Sequence, residues 1–577
     1  MAPEHDPKVA GDSPPHIRDG SSESAQADPP TGRQAAWNYL VFGLSKSSTL
    51  IMTVVVARLL DPADFGLFAL ALLVVNLFDY VKDLGVGGAL VQSPRGWNRL
   101  APTGLTLSVA FGVLAGAALA LLAPVGAAVL HRPALEPLIR VLAIGLTISA
   151  LSAIPAARLR RDLDFRQRIW PEFLGAATKS VLTIALAATG HGVWSLVYGQ
   201  LAGTVLTTVL YWWVARTPVK FGFDGSEARG LIRFGASLTG VSLLSFAIYN
   251  VDYLAIGIRL GDTQLGFYTL AYRLPELLVL NLCIVISEVL FSALSRLQHA
   301  RERLADHYLK VLTAAMALSA PISIALAAAA PAVIATLYGH QYADAAPVLA
   351  VLSIYALLFS VSFHAGDVFK AIGRPSLLIA TGTGRLALMV GPIWWAAGHS
   401  IVWVALMLLL VELVPFFVNI LLVRKVVGIR LGVLWRAVLR PMPAAIGMGV
   451  VMLGVAHLTA ALPAPVILVI AAAAGLLTYV LGLWLSAPEL FQAGLSVVRS
   501  IRGRVPGGSA GGDAESEQTA ESVGEVPARQ PRAGVVITTL VMLGLSPVVA
   551  LLYSLRSWFR TSTGRGAGPT PRIGGSR

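Results

Sequence analysis

Ionisable side chains stand inside long apolar stretches of this sequence, and their types and spacing are its main source of chemistry. Lys46, Lys179 and Arg385 have no acidic residue one turn away in their own segments. Asp79, Lys82 and Asp83 fall at i, i+3 and i+4, which puts all three on one helical face. Arg273 and Glu276 are one turn apart, Asp252 and Glu412 are single carboxylates, and His364, Asp367 and Lys370 follow one another at three-residue steps. A charge near the centre of a bilayer costs roughly 2.5–3.5 kcal/mol on insertion scales, so each such group must face a wet cavity or a partner. Two chemistries fit. Cations facing a hydrated cavity hold an anion, Arg with a planar fork and Lys as a point charge. Carboxylates couple to a cation or pair with a base and fix helices together. The trio Asp79, Lys82 and Asp83 carries its own counter-charge, which favours pairing, and Arg273 with Glu276 fits either reading. Lys46, Lys179 and Arg385 favour the cavity. His364 reads as a satisfied helix histidine, with a proton relay as the alternative.

The elements that must position these groups are membrane spans. The chain has 577 residues, of which 56% are hydrophobic and only 13% charged, with a mean hydropathy of +0.72. A soluble protein of that length needs more charge to cover its surface. A spanning helix takes about 20 mostly apolar residues, and the sequence predicts about fourteen. They lie at 36–60, 65–91, 101–130, 135–157, 169–189, 193–215, 231–258, 265–295, 308–337, 345–369, 376–397, 401–423, 437–462 and 464–486. Residues 1–35 read as a disordered tail rather than a signal peptide, and 487–533 as a flexible linker rich in Gly, Ser, Glu and Pro. Residues 534–555 form a further candidate membrane helix, and 556–577 a basic tail.

The net charge of +13 would suggest nucleic acid in a soluble protein. Here the cations collect in alternate loops: Arg95 and Arg99; Arg158, Arg160, Arg161, Arg166 and Arg168; Arg216, Lys220, Arg229 and Arg233; Arg296, Arg301, Arg303 and Lys310; Lys370 and Arg374; then Arg424, Lys425, Arg430, Arg436 and Arg440. The intervening loops are short and almost free of cations, apart from Arg132 and Arg140 after the third span. By the positive-inside rule the N-terminus and the basic loops face the cytoplasm, and no nucleic-acid partner is expected. The single cysteine, Cys283, cannot form an internal disulfide, and the sequence has neither metal-ligand spacing nor a Walker A loop. Neither a cofactor nor a catalytic residue is expected.

A repeat organises the array. Arg58-Leu59-Leu60-Asp61 runs on to Phe65-Gly66-Leu67-Phe68-Ala69-Leu70-Ala71, and Arg259-Leu260-Gly261-Asp262 to Leu265-Gly266-Phe267-Tyr268-Thr269-Leu270-Ala271. Six spans separate the copies, so both run in the same direction. This predicts an all-α polytopic protein of two parallel six-helix lobes, 36–215 and 216–423, plus two further helices in 424–486, with a cavity between the lobes.

The same residues carry a resemblance. Ala57-Arg58-Leu59-Leu60-Asp61-Pro62-Ala63-Asp64-Phe65-Gly66, then Asp83-Leu84-Gly85-Val86-Gly87-Gly88-Ala89-Leu90-Val91-Gln92, resemble the polysaccharide-export branch of the multidrug/oligosaccharidyl-lipid/polysaccharide exporter superfamily. Asn250-Val251-Asp252 with Gly257, Leu260-Gly261, Ala293-Leu294-Ser295-Arg296-Leu297-Gln298 and Gly373-Arg374-Pro375 are similar to that branch in the second lobe. The resemblance covers roughly 36–486. It implies fourteen helices in two lobes and export, across the cell membrane, of an oligosaccharide carried on a polyprenyl diphosphate. On that expectation Lys46, Lys179, Arg273 and Arg385 form a cationic path for the diphosphate, while Asp79, Lys82, Asp83, Asp252, Glu276 and Glu412 couple to an ion or pair structurally. Membrane lipids, a polysaccharide polymerase and glycosyltransferases are the expected neighbours. A peptidoglycan lipid-precursor flippase and a drug or metabolite antiporter of the same fold stand as alternatives. A membrane glycosyltransferase or polymerase would need larger extracytoplasmic loops than these, so no enzyme is expected.

Overall fold

The structure is a computed structural model that describes residues 48–492, apart from 94–95, 163–164, 217–219 and 299, together with residue 495. Every regular element among them is helical. They are α1 (Ser48–Ala57), α2 (Pro62–Val81), α3 (Val86–Gln92), α4 (Trp97–Val129), α5 (Leu135–Leu151), α6 (Ala153–Arg161), α7 (Phe165–Ala188), α8 (Val193–Ala215), α9 (Gly225–Arg259) and α10 (Asp262–Pro275). A π turn (Glu276–Leu280) leads to α11 (Asn281–Arg296), α12 (Arg301–Ala328) and α13 (Ala330–Leu337). A short 3-10 turn (His340–Tyr342) precedes α14 (Ala345–Ala371), α15 (Pro375–Ala396), α16 (Ile401–Val427), α17 (Leu431–Leu439), α18 (Met442–Leu458) and α19 (Ala464–Ser486).

Among the described residues eleven helices are long and apolar enough to cross a membrane, and the pair α5–α6, bent by 41°, makes a twelfth. The two other expected spans differ for stated reasons. The first lies partly outside the described residues, which leave α1 as its visible part. The fifth is occupied by α7, a helix of 24 residues made less apolar by Glu172 and Lys179. The linker, the stretch 534–555 and the tails fall outside the described residues.

Helix starts follow local chemistry. Pro62 opens α2, where its missing N–H costs nothing. Asp224 caps α9, its Oδ1 accepting from the backbone N–H groups of Ser226 and Glu227 at 2.8 and 3.4 Å. Helix pairs then close on small residues, the usual device where lipid gives no hydrophobic drive for association. Gly112 and Gly116 of α4 face Ala150 and Thr147 of α5, and Gly175 of α7 faces Thr207 of α8.

One apolar core runs from Val56 and Leu70 through Tyr268 and Leu270 to Leu349, Phe369 and Val404. A smaller one, around Val86, Leu90, Leu100 and Ile154, takes in Ala228 and Leu231 of α9. The two repeated segments meet within the larger core. A Cβ on Gly66 would lie 1.8 Å from the Asp262 carbonyl oxygen, and one on Gly266 1.8 Å from the Pro62 carbonyl oxygen. Each copy therefore needs glycine because the other copy's backbone occupies the space of its side chain.

Candidate functional site

The crossing of α2 and α10 is sealed on the side of the short turns. Arg132, between α4 and α5, donates from Nε to both carboxylate oxygens of Asp262 at 2.9 and 3.0 Å. Arg58 donates to the carbonyl oxygens of Thr336 and Leu337 at the end of α13. Gln341 Nε2 donates to the Ala57 carbonyl at 2.8 Å and Tyr342 Oη to the Leu60 carbonyl at 3.1 Å. The Tyr342 ring lies edge-on to Phe65 and Phe267, with centroids 6.4 and 6.0 Å away. Arg132 was one of the two exceptions to the cation-free turns, and its partner explains it; Arg140, the other, pairs with Glu136 at 2.9 Å.

Below this seal, the helices of the second copy gather three of the sequence-predicted residues. Asp252 of α9 is 3% exposed. Its Oδ2 accepts from the Tyr268 hydroxyl at 2.6 Å and its Oδ1 from the backbone N–H of Tyr253 at 3.0 Å. Tyr268 stacks on Tyr272, with centroids 6.1 Å apart, and Tyr272 reaches Tyr355 of α14 at 6.4 Å. Arg385 of α15 donates to the Tyr355 hydroxyl at 2.8 Å and lies 2.8 Å from Glu412 Oε2 of α16. Its guanidinium carbon is 5.0 Å from the centre of the Phe359 ring, a cation–π distance. Asp252, Arg385 and Glu412 are thus joined through a tyrosine series that the sequence reading missed. A tyrosine inside an apolar span reads as packing; only its hydroxyl partners reveal another role.

Several expectations change. Arg385 has no acidic neighbour within its own helix, yet Glu412 from the next helix neutralises it, because spacing along one helix is blind to contacts between helices. The trio on α2 divides. Lys82 pairs with Asp79 at 2.6 Å and donates to Ser149 at 2.8 Å, whereas Asp83 accepts from the Gly85 N–H at 3.1 Å in the turn that ends α2. Arg273 pairs with Glu276 at 3.1 Å where the π turn begins, both about a third exposed. Lys179 is half-buried on α7, a helix that packs on α8 and α6 and stands apart from the tyrosine series. Lys46 lies outside the described residues.

His364 departs furthest from its expectation. It is fully buried, and neither ring nitrogen has a hydrogen-bond partner. Asp367, 1% exposed, places Oδ2 3.7 Å from His364 Nδ1. Its Oδ1 accepts from Ser287 of α11 at 2.6 Å and from Lys370 at 3.4 Å. Among the described residues no group of three or more His, Cys, Asp or Glu side chains could hold a metal ion.

Comparison with known proteins agrees with this architecture. The family model described as polysaccharide biosynthesis protein matches residues 55–347. The lipopolysaccharide biosynthesis protein WzxC of Escherichia coli (strain K12) is 25% identical over 342 residues, covering 59% of this chain and 70% of that protein. The teichuronic acid biosynthesis protein TuaB of Bacillus subtilis (strain 168) is 27% identical over 416 residues, covering 71% and 86%. Among solved structures, the lipid II flippase MurJ in its inward closed conformation superposes with a TM-score of 0.65 at 14% identity, over 79% of this chain and 99% of that one. That likeness shows a shared fold. With its helices arranged as in that fold and just over half its length matched by the family model, this chain belongs to the polysaccharide biosynthesis protein family.

Proposed function

We propose that this protein is a flippase that carries an oligosaccharide linked to a polyprenyl diphosphate across the cytoplasmic membrane, for assembly of a cell-surface polysaccharide. The observation that carries the reading is the buried series from Asp252 through Tyr268, Tyr272 and Tyr355 to Arg385 and Glu412, inside helices built to cross a membrane. A charge-bearing, hydroxyl-rich interior suits a polar headgroup in transit. The names of WzxC and TuaB, biosynthesis proteins for surface polymers, support the substrate class.

In this reading the lobes 36–215 and 216–423 rock about the crossing of α2 and α10. The basic loops and the N-terminus face the cytoplasm, and the short turns face outward. Lys46, Lys179, Arg273 and Arg385 contribute the cationic path, while Asp252 and the paired carboxylates tune it. The protein transports without catalysing a bond change, and a polymerase and glycosyltransferases act on its cargo before and after. A diphosphate with about two negative charges gains roughly 4–5 kcal/mol on moving outward across 100 mV. The protein then has to lower a barrier and release its cargo.

The test uses purified protein in proteoliposomes containing a fluorescent polyprenyl-diphosphate oligosaccharide. Accessibility of the labelled lipid in the far leaflet is followed with an impermeant quencher. A rate at least tenfold above protein-free vesicles is expected. An equal or greater rate with the peptidoglycan lipid precursor would transfer the assignment to that substrate, and no acceleration with either would end the flippase reading.

A further inference from the structure

We propose that His364 and Asp367 form an intramembrane proton-binding site that exchanges with the cytoplasm past Lys370 and is occupied differently in the two conformations of the transporter. The site lies outside the Arg385–Glu412 arrangement. His364 is fully buried with both ring nitrogens unpartnered, and Asp367 Oδ2, also unpartnered, is 3.7 Å from Nδ1. Buried polar groups are almost always hydrogen-bonded, so two such groups side by side call for an explanation. Here they are placed to pass a proton from one to the other, the carboxylate lying just beyond hydrogen-bond distance of the ring.

Elements packed on α14 include α10, α11, α12, α13, α15, α16 and the π turn. From α11 come Ser287, bonded to Asp367, and Cys283; from α12 comes Tyr308, both Cys283 and Tyr308 within electrostatic reach of Asp367. Glu412 of α16 is committed to Arg385 of α15, and Glu276 of the π turn to Arg273 of α10. Tyr272 of α10 belongs to the tyrosine series. α13 brings no titratable side chain. Lys370, 44% exposed, lies 3.4 Å from Asp367 Oδ1.

The route is short. His364 lies seven residues before Ala371, the end of α14, so about 10 Å of helix separates it from the basic end. With that end cytoplasmic, an imidazolium proton passes from His364 to Asp367 Oδ2 and then to water beside Lys370. The neutral imidazole and the carboxylate are left behind.

The conformation with the short-turn end sealed suits the released state. An imidazolium here would carry two N–H donors with no acceptor within hydrogen-bond distance of either. Protonation therefore favours the alternative conformation, in which the ring finds its partners and the seal opens. Linkage makes this quantitative: each tenfold difference in proton affinity between the states shifts their ratio by up to tenfold as pH crosses the window. For a transporter exporting its cargo, the arrangement makes the proton the driving ion; this last step rests on the function proposed above.

The closing experiment needs no cargo, so its outcome is separate from that of the flippase assay. Spin labels are placed at Pro133→Cys and Thr263→Cys, both exposed beside the Arg132–Asp262 pair, with the buried Cys283 left in place. The full chain is studied in nanodiscs. Lowering the pH from 8 to 6 should move a several-fold larger fraction of molecules to the long distance, and His364→Gln or Asp367→Asn should abolish that shift while keeping the pH 8 distance. An unchanged distribution in the parental protein overturns the proposal without any variant. So does an undiminished shift in either variant that folds.

Discussion

Gly66 and Gly266, two hundred residues apart in the sequence, each lie against the backbone that opens the other's helix. The reciprocal 1.8 Å approaches, Gly66 to the Asp262 carbonyl oxygen and Gly266 to that of Pro62, leave no room for a methyl group on either side. Backbone atoms cannot swing away as a side chain can. A Gly66→Ala or Gly266→Ala substitution must therefore push α2 and α10 apart.

Either alanine variant should be less stable by about 1–3 kcal/mol, the usual range for overpacking, with the two effects similar because the contact is reciprocal. Thermal unfolding in detergent gives the number. A loss confined to one of the two would show that the crossing is less symmetric than its distances.

The Arg132–Asp262 pair makes a different prediction. Both side chains are partly exposed, 29% and 23%, and such pairs contribute about 0–1 kcal/mol to stability. Its leverage is on the seal. Arg132→Gln should leave the melting temperature within a degree or two yet populate the open short-turn end more. Reactivity of a cysteine placed at Thr263 would rise several-fold with an impermeant reagent. Unchanged reactivity would mean that the Gly66–Gly266 crossing and Tyr342 hold the end shut without help.

The topology proposed from the charge pattern is tested by labelling intact cells. Asp162→Cys, in the Arg158–Arg168 loop, should resist an impermeant reagent until the membrane is permeabilised. His191→Cys, in the short turn before α8, should react at once. The reverse result would invert the whole array.

Much of the fold is legible in the sequence because the bilayer imposes a one-dimensional rule: apolar runs of fixed length, punctuated by charge on alternate sides. That rule places α2 through α19 in order, and the punctuation Arg-Leu, Asp, Gly identifies the two segments that meet. Its signal is weakest at α7, where Glu172 and Lys179 dilute the apolar character of a helix held by close packing on α8. The site is less legible for a related reason. Spacing along one helix finds Arg273 with Glu276 and Lys82 with Asp79. The pairs Arg385–Glu412, Ser287–Asp367 and Arg132–Asp262 join different elements, and no periodicity in a single segment announces them. The tyrosines are hidden too, since Tyr268 and Tyr355 have the same apolar context as any packed ring.

Arg385 and Glu412 permit a test that separates holding the fold from moving a cargo. The pair is almost fully buried, 11% and 0% exposed. Removing one partner of such a pair leaves an uncompensated charge and typically costs about 3–5 kcal/mol. Arg385→Gln and Glu412→Gln should therefore both lower the amount of folded protein, the second by leaving the buried guanidinium without its counter-charge. Replacing both, as Arg385→Met with Glu412→Leu, removes the unmatched charge and should restore stability to near the parental value. If the guanidinium serves only to join α15 to α16, the double variant will also transport at the parental rate in proteoliposomes. If it helps carry a diphosphate, the double variant will be stable and at least tenfold slower. A stable, fully active double variant would remove Arg385 from the transport path and leave it a structural role.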